Sequence, residues 1–199
     1  MEAVSSMNRI FCIMGKSASG KDSLYSAVVS SLGLTPLVIY TTRPMRENEK
    51  EGREYHFVDR AEFEQMKAEG RVIESRTYDT KLGEWTYFTA NDNIDLASHS
   101  YAVIGTLESF VPIRDYFGAD RVVPLYVEVE DGERLARAVE RERREDEPKY
   151  TELCRRFIAD TEDFSDEKLA AAGVERRFDN TGSFNECLNE MKSYILSFE

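Results

Sequence analysis

Short unbroken apolar runs alternate along this chain with stretches in which apolar residues recur every three or four positions. Arg9 to Met14 is such a run ending at a glycine, and it predicts a buried strand. From Lys21 to Leu32, the residues Leu24, Tyr25, Val28, Val29 and Leu32 trace one helix face, which Gly33 closes. Pro36 to Tyr40 reads as a second strand. Asp59-Arg60-Ala61-Glu62 has the capping-box pattern, and Phe63 and Met66 continue it as a helix that Gly70 stops. Val72 to Glu74 and Trp85 to Thr89 read as short strands around a turn at Gly83. Tyr101 to Ile104 is a further strand, followed by a helical stripe from Leu107 to Phe117 and the stop Gly118. Val122 to Val129 is the clearest β segment. Leu153, Phe157 and Phe164 form another stripe, Phe178-Asp179-Asn180 ends a strand, and Ser183 opens a last helix carrying Leu188, Met191 and Ile195. Strand–helix alternation from end to end predicts an α/β fold, a parallel sheet between helices. The segment from Pro36 to Thr89, richer in short strands, predicts an inserted subdomain.

Two stretches break this rhythm. Arg43 to Glu54 holds four acids and four bases with almost nothing apolar, and reads as an exposed loop. Between Glu140 and Lys149, nine of ten residues are charged, and most of this run reads as a solvated helix face of mixed i,i+4 pairs. The whole chain of 199 residues, with 41% hydrophobic residues, is sized for one domain. Its net charge of −12 argues against coating a nucleic-acid backbone, though not against a small anion held by a few arginines. No apolar run is long enough for a membrane span or a secretory signal. Cys12, Cys154 and Cys187 lack metal-ligand spacing and read as reduced thiols, which points to the cytoplasm.

The chemistry begins after the first strand. Gly15-Lys16-Ser17-Ala18-Ser19-Gly20-Lys21 has the glycine, four residues, glycine, lysine spacing of a phosphate-binding loop. Glycines let consecutive backbone N–H groups converge on phosphate oxygens, and the following helix turns its positive end to the same anion. Lys21 supplies charge that can follow a moving phosphoryl group. The residue after the lysine is Asp22, followed by Ser23, where such loops normally carry a hydroxyl that ligates magnesium. A carboxylate is a good magnesium ligand, so Asp22 is the candidate metal residue; a helix-start acid matched to the dipole is the other reading.

The next block carries a resemblance. Thr41-Thr42-Arg43-Pro44-Met45-Arg46, then Glu49, Gly52, Tyr55 and Phe57-Val58, resembles the guanylate kinase signature that follows the phosphate loop in that family. The resemblance implies a three-layer P-loop kinase fold with a small mixed α/β insertion that binds the nucleoside monophosphate and a helical lid. On that plan one domain spans 1–199, with a core of 8–35, 90–135 and 172–199, a monophosphate-binding subdomain of 36–89 and a lid of 136–160. It implies transfer of the γ-phosphate of ATP to GMP, with ATP and Mg2+ as the cofactors. Small molecules would be the only partners, with neither nucleic acid nor membrane involved, and the protein would act as a monomer or homodimer.

Residue by residue, the resemblance implies that Gly15 through Ser23 cradle ATP. Arg43 and Arg46 would grip the acceptor phosphate, as guanidinium forks suit phosphate oxygens. Tyr55 and Tyr87 would add hydroxyls, and Thr89 a contact to base or phosphate. Glu74 would read guanine by accepting from its ring N–H and its exocyclic amine, where adenine presents an acceptor. Lid arginines would close over the triphosphate, with Arg144 and Arg156 the candidates beside Lys21 as catalytic residues. Asn180 falls where a loop holds the adenine. His56 and His99 carry no pattern. Two departures stand out: Ile39 replaces a base-reading serine, and Val103-Ile104-Gly105-Thr106 lacks the acids that end the family's third strand. These departures leave room for a related kinase with another phosphorylated acceptor, and a silent guanylate kinase-like binding module is the remaining alternative.

Overall fold

Strand β1 (Ile10–Met14) is buried at every position, and its side chains separate two cores. Ile10, Cys12 and Met14 join one apolar cluster with Tyr101, Val103, Phe110, Ile113 and Leu169. Phe11 and Ile13 join another with Leu24, Val28, Val123, Leu125, Phe178, Met191 and Ile195. A strand that feeds cores on both faces has to sit in the middle of a three-layer stack, which is why its sequence is apolar without alternation. The structure, a computed structural model, describes residues 7–80 and 83–198.

The layers follow from these faces. Helix α1 (Lys21–Leu32) and the last helix, α7 (Phe184–Leu196), cover one side of the sheet. Helix α3 (Leu107–Phe117) and the short helix α6 (Asp166–Ala171) cover the other. The five-stranded sheet runs β2 (Thr35–Pro36), β7 (Tyr101–Ile104), β1, β8 (Val122–Glu128), β9 (Arg177–Asp179), with every pairing parallel. From β1 the chain first fills one side of the sheet and then crosses to the other. The crevice at the carboxyl ends, beside β1, is where open α/β sheets take ligands. Burial pushes the Cys12 thiol up to about 12 and the Cys187 thiol to about 11, so both sit as neutral core groups.

The insertion forms its own four-stranded sheet: β4 (His56–Phe57), β3 (Tyr40–Thr41), β6 (Gly83–Ala90), β5 (Val72–Thr80). Helix α2 (Arg60–Ala68), capped by Asp59 accepting from the Glu62 amide, lays Phe63 and Met66 on Phe88 and Ala90. The expected strand from Pro36 to Tyr40 does not exist as one element. Thr35–Pro36 pairs in the large sheet, Tyr40–Thr41 in the small one, and the apolar Leu37 between them is buried as the chain changes sheets. The hairpin around Gly83 is longer than expected because its polar outer residues, Arg76 to Thr80, continue the ladder. Helices α4 (Asp131–Glu142) and α5 (Tyr150–Asp163) flank the charge run.

Candidate functional site

The phosphate loop leaves the carboxyl end of β1 and enters α1 directly. At Gly15 a Cβ would lie 2.6 Å from the Val127 carbonyl and 2.8 Å from Ser19 Oγ, so only glycine lets the loop press against β8. Ala18 sits at φ 63°, a left-handed conformation costing a non-glycine residue about 1 kcal/mol. The side-chain amide of Asn180 donates to the Ser19 carbonyl at 2.8 Å, and Asn180 is 3% exposed. Asn180 therefore braces the loop from below rather than facing the cleft. A cavity of about 410 Å³ opens beside the loop between Lys16, Asp131, Asp179 and Thr181. Lys21 lies 3.8 Å from the Asp22 carboxylate, which is 76% exposed at the first turn of α1.

No acid stands at the end of β7, and packing supplies the reason. A Cβ on Gly105 would come within 2.8 Å of Cys12 Sγ and 2.9 Å of Ser109 Oγ, so any side chain there would displace the core. Thr106 instead caps α3 through a reciprocal capping box with Ser109. Among the described residues no three His, Cys, Asp or Glu side chains converge as a metal site. At the start of α1 the Asp22 carboxylate and the exposed Ser23 hydroxyl are hard oxygens suited to an ion otherwise held by phosphates.

The small sheet presents a second set of groups. Arg43 is 3% exposed, and its guanidinium forms two bonds to Glu49, of 2.9 Å and 2.7 Å. Glu49 also accepts from the Arg46 amide at 2.8 Å. The Arg43 guanidinium, and after it the Arg46 amide, hold the Glu49 carboxyl at about 2, well below the usual carboxylate range. The Arg43 guanidinium lies 5.4 Å from the centre of the Tyr55 ring, and Tyr55 meets Tyr87 edge-on at 5.5 Å. Burial raises the Tyr55 hydroxyl, so it stays a proton donor. The Arg46 side chain is exposed beside this cluster.

Glu74 is deeper. Its side chain is 3% exposed and accepts from Thr89 Oγ1 at 2.7 Å and from Arg76 Nε at 3.1 Å. Arg76, two positions along the same strand face, also reaches Thr106 Oγ1 at 3.4 Å, spanning from the small sheet to the core. Beyond it lies a cavity of about 690 Å³ walled by Tyr78, Leu107, Glu108, Val111 and Ala172.

The lid region separates the arginine candidates. Arg144 is 75% exposed and paired with Glu140 on the solvent side. Its neighbour Arg141 instead shares with Arg156, Ser17, Leu153 and Phe157 a small cavity facing the phosphate loop. Arg141 stands in the last turn of α4, whereas Arg144 lies past the helix end, beyond the C-cap Arg143. Arg156 Nε is buried there with no hydrogen-bond partner. Arg134, not singled out in the sequence, is 1% exposed, lies 3.8 Å from the Phe157 ring centre, and pairs with Asp131 at 2.9 Å. Asp160 reaches the Ser17 amide from α5. Arg76, Arg134 and Asp160 were missed because each lies in a mixed-charge stretch where only the tertiary fold separates a buried ion from a solvated one.

Residues 7–102 match the family model for guanylate kinase. A guanylate kinase of Nitrosomonas europaea is 41% identical over 70 residues, 35% of this chain and 35% of that protein. One from Neisseria gonorrhoeae is 38% identical over 97 residues, 48% of this chain and 45% of that protein. The matched stretches thus span less than half the length of these relatives. The crystal structure of guanylate kinase from Anaplasma phagocytophilum superposes with a TM-score of 0.64 at 19% identity, covering 96% of this chain and 86% of that one. The guanylate kinase resemblance is thereby carried by sequence through the first half of the chain, and by fold through nearly all of it.

Proposed function

We propose that this protein transfers the γ-phosphate of ATP to GMP, giving ADP and GDP. The observation that carries this reading is the presence of two sets of groups suited to anions, one on each sheet. A phosphate loop stands on the large sheet, and Arg43, Arg46, Tyr55 and Tyr87 gather on the small one, next to a buried carboxylate suited to a base with N–H donors. An oxygen of the acceptor phosphate would attack the γ-phosphorus; the bond from that phosphorus to the bridging oxygen would break, and its electron pair would leave on ADP. The attacking oxygen is already anionic, so no general base is needed, and catalysis rests on aim and charge neutralisation.

Lys21 neutralises the transferring group from the loop side. Arg141 and Arg156 do so from the lid, with Arg141 in the place assigned to Arg144. Closure of α4 and α5 onto the loop excludes water, which would otherwise accept the phosphoryl group. Asp22, with Ser23 beside it, would hold a magnesium ion that spreads charge from the nucleotide phosphates. Arg43 is poised by Glu49 rather than free, so the acceptor phosphate meets an arginine already fixed in orientation. The acceptor is tested by coupled ADP release with ATP and magnesium against a panel of nucleoside monophosphates. Preference for a pyrimidine monophosphate or AMP would refute the reading, and ATP binding without turnover of any acceptor would make the protein a binding module.

A further inference from the structure

We infer that Arg76 is a further residue of the acceptor site: its guanidinium occupies the edge of the Glu74 carboxylate that a guanine base would use, and the acceptor enters by replacing it. The inference rests on the acceptor reading above and adds an internal competitor to it.

The contact is a side-on fork. Arg76 Nε donates to Glu74 Oε2 at 3.1 Å, and Arg76 Nη2 donates to Glu74 Oε1 at 3.4 Å. Thr89 Oγ1 adds a third bond, to Oε1, at 2.7 Å. The Arg76 and Glu74 side chains are 10% and 3% exposed, so the guanidinium rather than bulk water satisfies this edge of the carboxylate.

The chemistry of the fork is that of the base. In a guanidinium, the Nε–H and one Nη–H flank a single carbon and point the same way, which suits the two oxygens of a carboxylate. In guanine the ring N–H and the exocyclic amine also flank a single carbon, because that part of the ring is itself a guanidine. A carboxylate that takes one of these side-on takes the other with the same two hydrogen bonds, and the two exclude one another at Glu74. Exchange returns both bonds when the incoming base is guanine. Hypoxanthine returns one and adenine none, and a buried carboxylate left short of a donor costs free energy that water does not repay.

The displaced side chain has a place to go. Arg76 Nη1 already donates to Thr106 Oγ1 at 3.4 Å. Thr106 lines the cavity of about 690 Å³, together with Tyr78, Glu108 and Asp163. Tyr78 follows Arg76 by two positions along β5, on the same strand face. A guanidinium swung past Thr106 into this cavity would exchange one carboxylate for another. Lys168 stands 3.9 Å from Asp163, so Glu108 is the carboxylate that remains for it.

The test is calorimetry of GMP binding to the full chain and to Arg76→Met, with and without low millimolar guanidinium chloride. Arg76→Met should bind GMP more tightly than the parent by about tenfold or more, the range of a hydrogen bond to a charged group that no longer competes. In that variant guanidinium ion should refill the fork and weaken GMP binding competitively, whereas in the parent the fork is already filled and the ion should change little. Arg76→Gln keeps one neutral donor on Glu74 and should shift GMP affinity in the same direction by less, so the comparison survives if Arg76→Met does not fold. An arginine that merely braces Glu74 would behave in the opposite way. Both variants would then bind GMP equally or more weakly, or guanidinium would restore binding instead of opposing it. Either result overturns the inference and leaves the acceptor reading in place. If neither the parent nor the variants bind GMP, the acceptor reading itself has failed, and this inference with it.

Discussion

The carboxylate of Asp160, on a helix flanking the charge run, accepts a 2.7 Å hydrogen bond from the Ser17 amide in the middle of the phosphate loop. The same oxygen lies 3.5 Å from the buried Arg134 guanidinium, whose other nitrogens hold Asp131, and Asp131 in turn lies 3.5 Å from Lys16. An anion supplied by α5 thus rests on a backbone N–H of the loop built for phosphate. On the proposed reading, a phosphate oxygen and the Asp160 carboxylate would compete for that N–H, which would couple nucleotide binding to the position of α5.

Asp160→Asn should therefore bind ATP more tightly. Removing the charge relieves repulsion of the triphosphate and weakens the competing hydrogen bond, a gain of about 0.5–1.5 kcal/mol, or several-fold in Kd. Calorimetry with ATP and magnesium measures this without any acceptor. Weaker binding by the variant would show that Asp160 shapes the loop for nucleotide instead of competing with it.

Glu49 gives a prediction in pH. Its carboxyl is held at about 2 in the folded protein, chiefly by the Arg43 guanidinium, against an ordinary value of 4.5. A folded value below the unfolded one means that the unfolded state binds the proton first. The stability from this pair is fully present above 4.5 and is lost as pH falls toward 2. Denaturant midpoints for the parent and Glu49→Gln should differ most at neutral pH and converge as pH drops through this window. Parallel midpoints across it would show that the pair contributes no pH-dependent stability.

What the sequence disclosed depended on whether local pattern or tertiary contact set the outcome. The phosphate loop and both capping helices around Asp59 and Ser183 were legible because glycine spacing and cap residues act within a few positions. Pro36 to Tyr40 misled because an unbroken apolar run says that a segment is buried, not that one sheet buries all of it. Glu74 and Arg43 were found as candidates, but their partners Arg76 and Glu49 were not assigned roles. Each is a charged residue in a charged stretch, and only the fold shows the one buried against Glu74 and the other gripping Arg43.

The lid offers a comparison between an arginine in the last turn of α4 and one just past its end. Arg141, itself exposed, lines the small cavity that Ser17 and Arg156 share, whereas Arg144 lines no cavity with them and pairs with Glu140 in solvent. Arg141→Ala should lower kcat by about tenfold to a hundredfold, in the range of lost transition-state charge stabilisation, and Arg144→Ala should change it less than about twofold. The reverse order would restore Arg144 as the lid residue and place α4 differently in the closed state.

Asp22 sets the last expectation. A neutral hydroxyl at this position of a phosphate loop adds no charge near the triphosphate, but an aspartate adds a full one. That is tolerable when a divalent cation lies between the two anions and costly when it does not. The side chain is 76% exposed, and Lys21 Nζ stands 3.8 Å from it, too far for a hydrogen bond that would neutralise it. Asp22→Asn should then bind ATP more tightly than the parent in the presence of chelator, yet lose both magnesium-dependent affinity and turnover. Calorimetry with ATP in magnesium and in chelator, for both proteins, separates the two effects. Unchanged curves in both buffers would reduce Asp22 to a helix-start acid matched to the dipole of α1, and would move the metal to Ser23.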